Sequence, residues 1–472
     1  MLSIDINIIC NKLVFKVNNI ADNICPSANM VDYSILTDSN KNIKFFDTNY
    51  SFCVKLKGSS LEDKPLFAVN SYTFQNILFV AGTFGEIDNK RVMYAFDINN
   101  LERPEIRFKK VIDSENYLYN YSLQGAIGVD NNNNHLCINL PCISEKNNTL
   151  TADVQCGIIY SKSNKANAWK GYTIENNVEV KGIYNERLCP TSCLYVYGGY
   201  TYFVAYDYGI EGVENNKCFR IAYLCRTQDM VTFESKPILD VTTKLGAITS
   251  MSDKKLQISE PDIVITENGK AYFVIRLVGN YNVISNVEDI HKNNGYFYGE
   301  IDNVNDYFNE PTNYPQWDGY NITNIIYGSN VNIQKVNCEH LTIGGHLNGV
   351  LPRIFLNPST LTPMVVLYSR TSIEKSMNQL YLIPDPVNST SYYKIGKEHN
   401  KHQHNNSPEG GNMAVKVFQD YLSIICPHNK TNEVCCFFIP WKYLNDNIQI
   451  YDSNVFINSL ENIEENSVEI TI

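Results

Sequence analysis

The sequence predicts an all-β fold, a six-bladed β-propeller of four-stranded antiparallel blades, and three observations carry that expectation. Short apolar runs rich in aromatic and β-branched residues recur along the chain, divided by Gly- and Asn-containing turns. The runs group into six copies of one multi-strand unit whose starts fall roughly 55 to 90 residues apart, a spacing that suits blades with loop insertions better than a solenoid. No helical periodicity lasts beyond a turn or two, which disfavours a parallel α/β sheet.

The units follow one another in order. Residues 65–82 open the first, with an apolar run, a turn and a second run, and 123–141 open the second. The third is the clearest, CPTSCLYVYGGYTYFVAY (189–206) followed by FRIAYLCRTQDMVTFESKPIL (219–239). In the fourth, ISEPDIVITENGKAYFVIRLVG (258–279), Glu267, Asn268 and Gly269 supply the tight turn of a hairpin. Residues 350–370 and 412–428 open the fifth and sixth, and the Asn-rich stretch 281–335 reads as a loop insertion. Residues 1–60 hold further strand-like segments, YSILTD and YSFCVKL, expected to complete the last blade so that no long sheet edge is exposed. The blades are then expected over 61–450, with 451–472 a tail.

Composition excludes several function classes. The net charge is −11 and no basic block interrupts it, so no concentrated cationic surface is offered to nucleic acid or to a membrane. Apolar runs are too short to cross a bilayer, so no membrane insertion is expected. The opening, MLSIDINIICNKLVFKVNN, lacks a basic leader, an apolar stretch and a small-residue cleavage site, so no signal peptide is expected and the fourteen scattered cysteines read as reduced, buried thiols. No metal or other cofactor is expected; His399, His402 and His404 cluster in a polar segment that reads as a solvated loop.

Antiparallel pairing places the start of a blade's first strand and the end of its second at one opening. First-strand starts read as Lys64, Gln124, Arg187, Glu260, Arg353 and Asn412; second-strand ends read as Asp207, Arg276, Arg370 and His428. Two carboxylates, Glu260 and Asp207, therefore face that opening, with Arg276, Arg353, Arg370, Arg187 and Lys64 as the candidate substrate-binding cations. A planar guanidinium grips a carboxylate through two parallel bonds, which suits a sialic or uronic acid. The alternative is that these charges neutralise one another as solvated ion pairs. Tyr296, Phe297, Tyr298, Tyr307, Phe308, Tyr314, Trp317 and Tyr320 crowd the Asn-rich stretch, either packing over a blade edge or stacking on sugar rings.

Two hairpins and one strand pair carry a family resemblance. Thr227, Asp229 and Phe233 in one hairpin, and Ser161, Ser163 and Trp169 in another, resemble the Asp-box turn of the sialidase superfamily, and ISEPDIVITENGKAYFVIR resembles the segment in which a Glu-Pro opens an inner strand and the next strand ends in Arg. That resemblance implies that Glu260 activates a nucleophilic tyrosine and that Arg276 is one of three arginines clamping a substrate carboxylate. A five-bladed glycosidase-type propeller, which has a similar hairpin, is the alternative architecture.

The chain departs from the sialidase pattern where catalysis is concerned. The first unit begins Lys64-Pro65-Leu66-Phe67 in place of Arg-Ile-Pro, Tyr421 reads as mid-strand, and Tyr206 lies beside Asp207 in the wrong blade for a nucleophile. The expected function is recognition of an acidic glycan or glycoprotein with hydrolysis weak or lost; an active exo-glycosidase is the alternative. Abundant Asn and Tyr without a secretion signal suit a virion or phage attachment protein, or equally a cytoplasmic one.

Overall fold

The structure, a computed structural model, describes residues 4–9, 12–17, 52–57, 66–74, 77–84, 90–97, 105–112, 126–129, 134–139, 157–162, 173–174, 180–182, 188–207, 221–228, 233–240, 256–279, 295–310, 325–327, 330–338, 350–370, 377–388, 392–400, 413–418, 421–427, 433–440 and 467–471. Among them the architecture is all-β, with antiparallel sheets of about four strands and one short helix. Strands β1 (Ile4–Ile9) and β2 (Lys12–Val17) form a separate hairpin, and β3 (Phe52–Lys57) follows.

The first sheet runs in the order β4 (Leu66–Phe74), β5 (Ile77–Phe84), β6 (Lys90–Asp97), β7 (Glu105–Ile112). The second contains β8 (Ala126–Val129), β9 (Asn134–Asn139), β10 (Gly157–Lys162) and β11 (Thr173–Ile174), and is followed by β12 (Val180–Gly182). In the third, β13 (Leu188–Pro190) and β14 (Tyr195–Tyr197) both pair with β15 (Tyr200–Asp207), then come β16 (Ile221–Thr227) and β17 (Phe233–Asp240), with β12 parallel on the outer edge. The fourth holds β18 (Leu256–Ile265), β19 (Ala271–Gly279), β20 (Gly295–Ile301), helix α1 (Val304–Asn309), β21 (Ile325–Tyr327) and β22 (Val331–Asn337), its sheet ordered β18-β19-β20-β22-β21. The fifth is β23 (Val350–Leu356), β24 (Pro363–Arg370), β25 (Met377–Ile383) and β26 (Tyr393–Asn400).

The sixth sheet is built from both ends of the chain. β27 (Ala414–Phe418), β28 (Tyr421–Pro427) and β29 (Glu433–Pro440) are continued by β3, antiparallel on β29, and by β30 (Ser467–Thr471), parallel on β3. Residues Phe52–Leu56 of the YSFCVKL segment lie on β3, and Ser467–Thr471, within the stretch read as a tail, form a strand. YSILTD lies outside the described residues.

Successive sheets neighbour one another at β4 and β8, β8 and β14, β15 and β18, β18 and β23, β23 and β27, and β27 and β4. Apolar cores lie between consecutive sheets because strand side chains alternate between faces. On β19, Phe273, Ile275 and Leu277 pack with Tyr202, Val204 and Leu224 of the third sheet, while Val274 joins Ile354, Val365 and Leu367 of the fifth. Beyond it, Leu351, Phe355 and Val366 meet Val415, Leu422 and Phe437 of the sixth. Buried aliphatic and aromatic side chains of this kind contribute about 1.5–3 kcal/mol each.

The stretch 281–335 corrects the reading of a loop insertion, since β20 and β22 are ladder strands of the fourth sheet. Its aromatics follow the packing alternative: Tyr296, Phe297 and Tyr298 are buried on β20, and Tyr307 is buried on α1. Asn303 caps α1, its side chain accepting from the amides of Asn305 (2.9 Å) and Asp306 (3.3 Å). The helix docks onto the third sheet: Lys236 donates to the carbonyls of Tyr307 and Glu310, and the Arg226 guanidinium lies 4.2 Å from the ring centres of both Tyr200 and Phe308. Tyr314, Trp317 and Tyr320 lie outside the described residues.

The β18–β19 turn is the one read from sequence. The amide of Thr266 donates to the Lys270 carbonyl (2.8 Å), that of Gly269 to the Thr266 carbonyl (2.9 Å), and Gly269 has φ 84. A Cβ at Gly269 would also overlap the Tyr197 ring, whereas Gly199, at φ 81, has open space around it. Gly199→Ala is expected to lose only the left-handed penalty, about 1 kcal/mol, and Gly269→Ala clearly more, as read by urea denaturation.

Candidate functional site

The site centres on a bulge in β18. Pairing with β19 runs regularly to Ser259 opposite Arg276, shifts, and resumes at Asp262 opposite Val274. Glu260 occupies the bulge with φ 45, a left-handed conformation that a residue with a Cβ, and one preceding a proline, rarely adopts. Its carboxylate is paired with the Arg276 guanidinium across the ladder, and each residue is only 8% exposed. The structure therefore brings together the two residues singled out from sequence. Their arrangement is neither a free base beside a free clamp nor a solvated pair, but one buried ion pair.

The bulge also redirects the next two residues towards neighbouring sheets. The Pro261 carbonyl accepts from the Thr191 hydroxyl of the third sheet, and Asp262 Oδ2 accepts from the Ile354 amide of the fifth at 3.0 Å. One residue before Ile354, Arg353 donates through Nε to the Met413 carbonyl, beside β27, at 2.9 Å. Its Nη1 and Nη2 are sealed from solvent without a hydrogen-bond partner, and the residue is 3% exposed.

Lys416 of β27 completes the cluster. Its ammonium lies 5.4 Å from the Tyr195 ring centre, and its charge acts on the Cys193 thiol. Burial pushes the Asp262 carboxyl above the ordinary aspartate range, opposed by the charges of Arg353 and Lys416 and by bonds from the Ile354 and Ile263 amides. Burial likewise raises the Cys193 thiol, against the pull of Lys416, and holds the Tyr195 phenol well above its usual value. Both stay neutral near pH 7.

Other expectations need correcting in position. Glu260 and Arg353 lie inside β18 and β23, not at their starts, and Arg276 lies inside β19. Tyr421 is not mid-strand: it opens β28 opposite Phe418, buried at the hairpin with its ring edge-on to Phe438. Asp207 and Arg370 are the last residues of β15 and β24, with side chains outside the described residues, and Tyr206 is buried beside Asp207 on β15. Lys64, Arg187, Asp229, His402 and His404 lie outside the described residues; His399 ends up on β26 in place of a loop.

Sequence reasoning passed over Asp262, Lys416 and Cys193. The available signal was a lone charge inside an apolar strand: Lys416 within Met413–Phe418, and Asp262 two residues after Glu260.

No protein-family model matches the sequence, and no curated protein matches it. Solved structures similar in overall trace include a GH93 α-L-arabinofuranosidase of Fusarium graminearum with arabinobiose (12% identity, 84% of this chain and 99% of that chain, TM-score 0.46). A Penicillium chrysogenum α-L-arabinanase is similar at 10% identity over 83% of this chain and 98% of that one, TM-score 0.45. A Trypanosoma rangeli sialidase is similar at 8% identity over 87% of this chain and 60% of that one, TM-score 0.45.

Two outcomes are expected from the cluster. Arg276→Met leaves a buried, unpaired glutamate and should lower unfolding free energy by about 3–5 kcal/mol, whereas adding Glu260→Gln should restore most of it, in a guanidinium double-mutant cycle. Because the folded pKa of Asp262 is raised, the unfolded chain releases its proton first. Its contribution to stability is therefore present below the ordinary aspartate range and lost as pH rises towards the folded value; Asp262→Asn should lack that loss in Tm measured against pH.

Proposed function

We propose that the six sheets are the blades of one propeller, closed by β3 on β29, and that the chain recognises an acidic glycan at the opening where Glu260 and Arg276 meet. The observation that carries this reading is the buried ion pair on a left-handed, pre-proline bulge of an inner strand. Such backbone strain persists only where its surroundings over-determine it, and it concentrates at ligand sites. The cyclic order of neighbouring sheets supports the closed ring.

In this reading the carboxylate of a sialic or uronic acid competes with Glu260 for the Arg276 fork. Asp207, Arg370, Arg187 and Lys64, read from sequence as facing that opening, are proposed as further contacts to an anionic sugar. The likeness of ISEPDIVITENGKAYFVIR to the sialidase segment supports an acidic glycan, and the departures from the sialidase catalytic set support recognition without hydrolysis. Retaining hydrolysis by two carboxylates needs an acid and a nucleophile about 5–5.5 Å apart, and a sialidase needs a tyrosine as the nucleophile. Glu260 is tied to Arg276, and Asp262 is tied to a backbone amide of the fifth sheet, so neither stands ready as a general acid.

Binding without turnover is the expected result. On a glycan array the purified protein should retain sialylated or uronic-acid glycans and lose them in Arg276→Ala, provided circular dichroism shows that variant folded, while aryl sialosides and uronides release no fluorophore. Turnover that disappears in Glu260→Gln would turn the reading to an exo-glycosidase. Neither binding nor turnover would remove the glycan assignment altogether.

A further inference from the structure

A left-handed glutamate before a proline relaxes to extended backbone unless its surroundings forbid it, so something holds Glu260 where it is. The β19 ladder does not supply that restraint. Ser259 and Asp262 face Arg276 and Val274, so Glu260 and Pro261 together span the gap that Ile275 alone spans on β19. Pro261 has no amide hydrogen, which leaves its carbonyl as its one backbone hydrogen-bonding group. That carbonyl accepts from the Thr191 hydroxyl of the third sheet.

The third sheet is shaped for this contact. Between β13 and β14 the four residues 191–194 span what 203–204 span on β15, so the first strand buckles there. The Thr191 amide still donates to the Val204 carbonyl at 3.1 Å, while the Val204 amide donates to the Ser192 hydroxyl at 3.0 Å. Ser192 in turn donates to the Cys193 carbonyl at 2.9 Å, and both Thr191 and Ser192 are fully buried. The Thr191 backbone is thereby anchored to β15 while its side chain reaches the bulge of the neighbouring sheet. On the other side of the bulge Asp262 accepts from the Ile354 amide, but pairing with β19 has already resumed at Asp262, so that bond does not set the conformation of Glu260.

We propose that Thr191 is a positioning residue: its hydroxyl, acting through Pro261, keeps Glu260 left-handed with its carboxylate on Arg276, and so sets how strongly an acidic ligand is bound at Arg276. The consequence for affinity rests on the glycan reading above; the hold on Glu260 does not. While Glu260 occupies the Arg276 guanidinium, an incoming carboxylate finds a competent site only in the fraction of molecules in which the pair is open, and its apparent affinity is lowered by that fraction. Without the hydroxyl the bulge relaxes, Glu260 withdraws and Arg276 is open to the ligand. Removing one hydroxyl thus tightens binding, whereas loss of structural support alone weakens it or leaves it unchanged.

Two variants of the full chain test this: Thr191→Val keeps the shape and loses the hydroxyl, and Thr191→Ser keeps the hydroxyl. In a crystal structure of Thr191→Val, Glu260 is expected at negative φ with its carboxylate out of hydrogen-bond distance of Arg276, and in Thr191→Ser both are expected as in the wild type. Glu260 still left-handed and paired in Thr191→Val overturns the proposal, whatever the glycan result. Affinity for sialyllactose and for glucuronic acid is then measured by titration calorimetry, and whichever the wild type binds is expected to bind on the order of fivefold tighter to Thr191→Val and equally to Thr191→Ser. Equal or weaker binding to Thr191→Val overturns the role of Thr191 in affinity. A wild type that binds neither sugar removes the glycan reading, and the conformation of Glu260 in Thr191→Val then decides alone. Should Thr191→Val not fold, Thr191→Ala takes its place in both measurements with the same outcomes expected.

Discussion

The first strand of each sheet is an edge, and most of the architecture follows from how those edges are satisfied. β18, β23 and β27 are each hydrogen-bonded through a ladder on one side only. β18 neighbours β23 and β23 neighbours β27, and unpaired amides and carbonyls buried between them would be costly. Side chains supply the missing partners: Thr191 reaches the Pro261 carbonyl, Asp262 the Ile354 amide, and Arg353 the Met413 carbonyl. Four successive sheets are stitched by three polar side chains, each reaching from one sheet to the backbone of the next. The bulge at Glu260 is what makes the middle of this chain work, because the register shift turns Pro261 and Asp262 to opposite neighbours.

Apolar packing between sheets does the bulk of the stabilising, but it does not fix how the sheets sit at their inner edges. The cores are built from alternating residues, so Phe273 and Ile275 serve one interface of the fourth sheet while Val274 serves the other. Arg276 shares the parity of Val274 and so belongs to the face towards the fifth sheet. A charged residue in that row would be intolerable alone. The bulge solves this by bringing Glu260 onto Arg276, and the strain of a left-handed glutamate is offset by the pairing of two charges that would otherwise both be buried unmatched.

The sequence revealed units whose signals are local. The Thr266–Lys270 turn has Asn268 and Gly269 at the positions that need them, and the paired apolar runs of 189–206 and 350–370 each became adjacent antiparallel strands. β3 was legible as a strand because Phe52, Val54 and Leu56 alternate along it. β20 and β22 escaped notice because Gly295, Gly299 and the polar residues of Asn330–Asn337 dilute the apolar pattern, and because α1 separates the two strands. Site residues failed differently. An offset of three residues along β23 moves Arg353 from the imagined rim to the interior, and a bulge, which no composition announces, decides where Glu260 and Asp262 point.

The contrast between the two arginines shows why position along a strand matters more than residue type. Arg276 and Arg353 sit on consecutive sheets and are nearly equally buried, yet one meets a carboxylate and the other only a backbone carbonyl through Nε. A ligand that approached Arg276 would have to exchange with Glu260, so binding there is a competition between two carboxylates and is tuned by the strain in Glu260. Arg353 Nε instead donates to the Met413 carbonyl, tying the fifth sheet to the sixth. The same guanidinium chemistry thus forms a buried ion pair within one sheet at the first position and a bond between two sheets at the second.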